Sequence, residues 1–114
     1  MSEKDTGNLS AMLDACNKML TFVASKRNAD DFYADQLTFD AVLMNFVVIG
    51  ECVVRLSDDL KSKNSEIPWI QIKDFRNIVV HDYFGVDAEE VWQIIKQHIP
   101  VLQIKLEMLL SDAG

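Results

Sequence analysis

The chain is 114 residues long, 49% apolar and 25% charged, with a formal net charge of −7. That length holds one helical core but not two independent ones, and the balance of apolar and charged residues excludes a disordered or fibrous chain. The acidity excludes a protein that coats nucleic acid through bulk charge, so any RNA contact must be local, made by a few focused cations or by cations concentrated through subunit pairing.

A single domain over residues 1–114 is expected, with about eight N-terminal residues and the last few disordered and so without regular structure. The N-terminus lacks the basic and apolar regions of a secretory signal, which predicts a cytoplasmic protein. The longest apolar runs, Phe46 to Gly50 and Cys52 to Val54, are broken well short of the ~18–20 residues that cross a bilayer. No membrane span is expected.

Leu9, Met12, Leu13, Cys16, Met19, Leu20 and Val23 recur in steps of three and four, the stripe of an amphipathic first helix. Lys26 and Arg27, followed by Asp30 and Asp31, mark its end and a short connection. A second helix is predicted over about 35–60, carrying Leu37, Phe39, Val42, Leu43, Phe46, Ile49, Val53, Leu56 and Leu60. Val47, Val48 and Val54 widen its apolar surface, so it is either central or also buried against another subunit. Gly50 reads either as a point of close helix approach or as a tolerated helix glycine. Residues 58–66 are polar and read as a loop.

Pro68 opens a third helix with Trp69, Ile70, Ile72, Phe75 and Val79 on its apolar face, and Gly85 marks its end. Asp87 and Glu90 form a capping-box pair for a fourth helix, whose stripe includes Val91, Ile94, Ile95, Ile99, Leu102 and Leu106. Pro100 should bend that helix or leave one carbonyl unpaired. The expected fold is all-α, an up-and-down four-helix bundle that dimerises through its helices. Cys16 and Cys52 lie on apolar faces without metal-ligand spacing and read as core thiols. Trp69 and Trp92 read as core or interface aromatics, and His98 as a packing histidine.

Between Phe75 and Phe84, the polar residues Arg76, Asn77, His81 and Tyr83 stand among strongly apolar neighbours. RNA carries its own nucleophile, the 2′-hydroxyl, so its cleavage needs a proton acceptor, a proton donor and a cation for the phosphorane, without metal or cofactor. Histidine suits the proton transfers, arginine the phosphate, and tyrosine a hydrogen bond to it. At ~100° per residue, Arg76 and His81 lie about 140° apart on a regular helix. Either the helix ends near His81 and the backbone turns there, or a second subunit completes the site. Each residue also has a structural reading: Arg76 in a surface ion pair, His81 at a helix C-terminus, Tyr83 in packing.

The order Arg76-x4-His81-x-Tyr83 resembles the signature of HEPN domains, specifically of the HepT family. Ile49-Gly50-Glu51, Arg55-Leu56-Ser57, Ile67-Pro68-Trp69, His81-Asp82-Tyr83-Phe84-Gly85-Val86-Asp87, Val91-Trp92 and Ile99-Pro100-Val101-Leu102 follow in the order of that family, over roughly 39–110. The resemblance implies a homodimeric, metal-independent ribonuclease toxin whose substrate is transfer or messenger RNA, with Arg76 and His81 catalytic and Asn77 supporting, orienting His81 or the phosphate. It further implies that Tyr83 accepts AMP from a minimal nucleotidyltransferase antitoxin of the MntA kind, which would place charge and bulk beside Arg76. Asp82 reads as a solvated helix-end residue. Glu51 is either a carboxylate that orients Arg76 or an exposed one. The rival readings are a non-catalytic helical partner of a nucleotidyltransferase and a purely structural helical dimer.

Overall fold

Ser2 starts the first helix, because its hydroxyl accepts a hydrogen bond from the Asp5 amide at 3.0 Å and Glu3 and Asp5 complement the positive end of the helix dipole. In a computed structural model, which describes residues 1–113, α1 therefore runs over Glu3–Val23. The N-terminal segment expected to be irregular is helical from its third residue. Leu9, Met12, Cys16, Met19 and Val23 form the buried stripe of α1.

The expected short connection contains a helix of its own, α2 (Ala29–Ala34), capped by Asn28, whose side chain accepts from the Asp31 amide at 2.9 Å. Its Phe32 is fully buried, with its ring 5.3 Å from that of Phe39 and 5.8 Å from that of Trp92. Asp35 then caps α3 (Gln36–Arg55). The same carboxylate takes Lys26 Nζ at 2.8 Å, and this bond together with Thr38 holds the Asp35 carboxyl at about 2.

Helix α3 ends five residues before the expected boundary. Leu56 turns extended at φ −65°, ψ 147°, and Ser57 caps a new helix, α4 (Asp58–Lys63), by accepting from the Leu60 amide at 3.2 Å. Much of the predicted 58–66 loop is thus helical: Asp58 and Asp59 sit in its first turn and Lys61 and Lys63 in its last, matching the dipole at both ends. Lys61 Nζ also donates to the Val53 carbonyl at 3.1 Å, closing the end of α3.

Pro68 stands immediately before α5 (Trp69–His81), and Trp69 Nε1 donates to the carbonyls of Lys61 and Asn64, each at 3.1 Å. A 3-10 turn over Tyr83–Gly85 leads to α6 (Ala88–Gln97), where Asp87 accepts from the Glu89 amide at 3.0 Å. The predicted fourth helix is two helices, α6 and α7 (Ile99–Ala113). Pro100 has no N–H for the carbonyl four residues before it, and the chain breaks at His98 (φ −109°, ψ −37°). His98 does not pack in the core as expected. It is exposed at this break, on the rim of a cavity of about 550 Å³ between α5 and the α6–α7 elbow. The expectation of irregularity for the last few residues falls partly on Gly114, outside the described residues, and α7 itself continues to Ala113.

The architecture is an all-α bundle with no strand among the described residues. Helix α3 lies between α1 and α5, α7 packs on α1, and α2 joins α3 to α6. Cys16 and Cys52 are buried, as their positions predicted, and burial pushes the Cys16 thiol up to about 12. Among the described residues α3 is the one helix long and apolar enough, by length and composition, to cross a bilayer, contrary to the expectation from the broken apolar runs. Its central position accounts for that apolarity.

Asp5 is the one charged residue in the buried set, 4% exposed. It accepts from the Ser57 amide at 2.9 Å and the Ser57 hydroxyl at 2.6 Å, tying the start of α1 to the α3–α4 junction. These bonds hold its carboxyl below the usual range. A depressed folded value means that the stabilisation is complete above the ordinary aspartate value of about 4 and disappears as the pH falls through the lower folded value. Asp5→Ala is expected to cost about 2 kcal/mol in urea denaturation at pH 7, with the difference from the unaltered chain narrowing in acid. Equal midpoints at pH 7 would contradict this role.

Candidate functional site

The site begins where α3 and α5 cross. Gly50 is buried against the stem of Arg76, and a Cβ at position 50 would overlap both Cβ and Cγ of that arginine. Of the two readings of Gly50, close helix approach is the one the packing requires.

With its stem fixed on Gly50, Arg76 delivers its guanidinium to the next residue along α3. Nη2 donates to Glu51 Oε1 and Nη1 donates to Asn77 Oδ1 at 2.6 Å. The arginine side chain is 23% exposed and that of Glu51 41%, so the pair lies at the surface with its stem covered. Arg76 holds the Glu51 carboxyl below its ordinary value, helped by the nearby charge of Arg55. Arg76 Nε is buried and has no partner among the described residues. Glu51 thus orients Arg76, which the sequence left open. Asn77 also serves Arg76, rather than His81, with which it makes no hydrogen bond among the described residues.

His81 is the last residue of α5, exposed, at the negative end of the helix dipole. The helix is continuous from Arg76 through His81, which keeps the two residues about 140° apart around its axis, and it ends there, where Asp82 leaves helical geometry at φ −141°, ψ 52°. Within one chain the two groups are not hydrogen-bonded to one another, among the described residues.

Beyond His81, Asp82 ends the helix by donating its amide to the Ile78 carbonyl at 2.8 Å, and its exposed side chain has the helix-end position expected of it. That carboxylate folds over Gly85, where a Cβ would overlap it, which explains a glycine at the close of the 3-10 turn. The turn presents Tyr83, 38% exposed, edge-on to Phe84 with ring centroids 5.2 Å apart. Phe84 is 98% exposed. The Tyr83 hydroxyl donates to Asp40 Oδ1 on α3, and this carboxylate, with a smaller effect from Tyr33, raises the phenol above its ordinary value.

One residue of this surface was not singled out from sequence: Asp40, which reads as an ordinary exposed carboxylate and has no local signal, because it is 43 residues from its partner. Arg55, four residues after Glu51 on α3, is the second cation beside that carboxylate.

A family model described as Ribonuclease HepT-like matches residues 12–109. "Probable ribonuclease HepT" of Thermococcus cleftensis is 38% identical over 80 residues, covering 70% of this chain and 73% of that protein. "Putative RNase MJ1380" of Methanocaldococcus jannaschii is 27% identical over 110 residues, covering 96% of this chain and the whole of that protein. The chain spans only 39% of a longer relative from the same archaeon, "Gamma-glutamylcyclotransferase and putative RNase MJ0434", with 30% identity over 86 residues. No solved structure matches.

The Gly50 contact predicts an outcome opposite to helix propensity. Alanine is favoured over glycine inside a helix by about 1 kcal/mol, yet Gly50→Ala is expected to destabilise the chain by about 1–3 kcal/mol through overlap with Arg76. Denaturant midpoints check it: a midpoint at or above that of the unaltered chain would show that α3 and α5 are not in contact at this point.

Proposed function

The chain belongs to the Ribonuclease HepT-like family, and on that footing we propose that it is a metal-independent RNA endonuclease, the toxin of a two-component system whose antitoxin is a minimal nucleotidyltransferase. The observation that carries the reading is the disposition of α5. One helix holds a partly exposed guanidinium, fixed by Gly50, Glu51 and Asn77, and an exposed imidazole at its end.

In this reading Arg76 binds the scissile phosphate and stabilises the charge that develops on it, and His81 transfers protons. The 2′-oxygen attacks phosphorus, the 5′-oxygen departs, and a 2′,3′-cyclic phosphate remains. Arg76 of one copy and His81 of another meet at a shared phosphodiester in a homodimer. Apolar side chains left exposed beside the site support such pairing: Leu37, Met44 and Val54 on α3, and Ile78 and Val80 on α5. The substrate is transfer or messenger RNA, and the setting is the cytoplasm.

Tyr83 is the proposed acceptor of AMP, an exposed hydroxyl two residues beyond His81. An added phosphodiester there would compete for the cations that RNA requires. That exposure also favours the second reading, a non-catalytic partner of a nucleotidyltransferase, and RNA cleavage distinguishes the two.

Purified chain is expected to cut RNA in EDTA, and Arg76→Ala and His81→Ala each to lower the rate by about 100-fold or more. Mixing the two folded variants is expected to restore part of the activity if each dimer site draws Arg76 and His81 from different copies. Cutting retained in both variants would refute the nuclease assignment to these residues.

A further inference from the structure

We propose that Asp40 is the proton acceptor for nucleotidyl transfer to Tyr83, so that the nucleophile and the base of the modification lie on the same chain. The inference rests on the reading of Tyr83 as the acceptor and adds to it a base on a different helix. Tyr83 Oη donates its proton directly to Asp40 Oδ1, across the packing of α3 against the turn that follows α5. Both residues are exposed, which leaves the hydroxyl approachable by a donor bound to another protein. Asp40 makes no ion pair among the described residues, in contrast to Glu51 on the same helix, which is engaged by Arg76. Its carboxylate is therefore available to take a proton.

The chemistry calls for such a group. The Tyr83 phenol is held protonated by the neighbouring carboxylate, with a smaller contribution from Tyr33, so little free phenolate is present at neutral pH. A neutral phenol is a weak nucleophile, and its proton becomes strongly acidic only as its oxygen bonds to phosphorus. A base already in hydrogen-bond contact removes it at that moment. Tyr83 Oη attacks the α-phosphorus of a nucleoside triphosphate. The Oη–P bond forms, the bond from the α-phosphorus to the bridging oxygen breaks, and pyrophosphate leaves with that electron pair. The phenolic proton passes to Asp40 and from there to water. The product no longer has a proton to donate, so a contact that was attractive becomes a repulsion between carboxylate and phosphodiester, two residues from His81.

Adenosine 5′-phosphorimidazolide, an activated AMP donor that needs no transferase, tests the pair on the intact chain at neutral pH. Tyr33, 52% exposed and without a side-chain hydrogen bond among the described residues, is the internal reference. Peptide mass spectrometry is expected to find AMP on Tyr83 in preference to Tyr33. Asp40→Asn keeps the shape of the side chain but cannot take the proton, and is expected to lower labelling of Tyr83 by about 100-fold, far more than any change at Tyr33, which makes no hydrogen bond to Asp40. Labelling of Tyr83 in the two chains should converge as the pH rises and phenolate removes the need for a base, whereas loss of a purely structural role would leave the deficit in place at every pH. Equal labelling of Tyr83 in the two chains, or no preference over Tyr33 in the unaltered one, would overturn the assignment to Asp40. The acceptor reading is tested separately by coexpression with a nucleotidyltransferase and by intact mass. AMP arriving on the Tyr83→Phe chain would overturn that reading, whereas the imidazolide ratio does not depend on any transferase.

Discussion

Two helices approach most closely where no side chain stands between their backbones, and at the crossing of α3 and α5 that place is Gly50. The methylenes of Arg76 lie on it, and the positions of the other polar groups follow. Ordering an arginine side chain costs up to about 2 kcal/mol of rotamer freedom, and here that ordering is part of folding rather than of ligand binding. Glu51, next in sequence to the glycine, is placed to receive the guanidinium. Asp40 lies eleven residues earlier, about 16 Å along the axis and within about 20° of the same face. One face of α3 therefore carries two carboxylates, one holding Arg76 and the other holding Tyr83, so that both ends of the 76–83 segment are attached to a single helix.

This arrangement explains why α3 is apolar on so many sides. Phe39, Val42, Leu43, Phe46, Ile49 and Val53 are buried among α1, α2 and α5. Leu37, Met44 and Val54 remain 86%, 62% and 51% exposed, on a helix that already has neighbours on two sides. By helix geometry these exposed apolar positions lie on roughly the same side of α3 as Asp40 and Glu51.

The long helices were legible from the chain because their apolar residues repeat for several turns. Helices α2 and α4 were not, because six residues contain fewer than two turns and no periodicity can accumulate. Their signals were the caps: Asn28 before Asp30 and Asp31, and Ser57 before Asp58 and Asp59, each an N-cap followed by acidic residues. His98 was misplaced because its position on the α6 stripe assumes a helix that continues past Pro100, whereas the chain changes direction there. Within the site, the angle between Arg76 and His81 followed from helix geometry alone. The pairs Glu51 with Arg76 and Asp40 with Tyr83 did not, since they span 25 and 43 residues and depend on which helices are neighbours.

A net charge of −7 and the phosphate-binding role proposed for Arg76 are compatible once distance is considered. At physiological ionic strength charges more than about 8 Å apart are largely screened, so the groups in contact with an anion decide whether it binds. In the proposed nuclease those groups are Arg76 and Arg55, with Glu51 beside them, and His81 of the other copy. In the absence of substrate, Glu51 compensates a guanidinium whose stem and Nε are withdrawn from water, a charge that would be costly to leave unpaired. In the proposed function an arriving phosphate would share or displace that carboxylate, so binding would exchange one anion for another. Such an exchange would leave weak attraction for the ground state and reserve the stronger interaction for the more highly charged phosphorane, the ordering that favours turnover over retention of RNA.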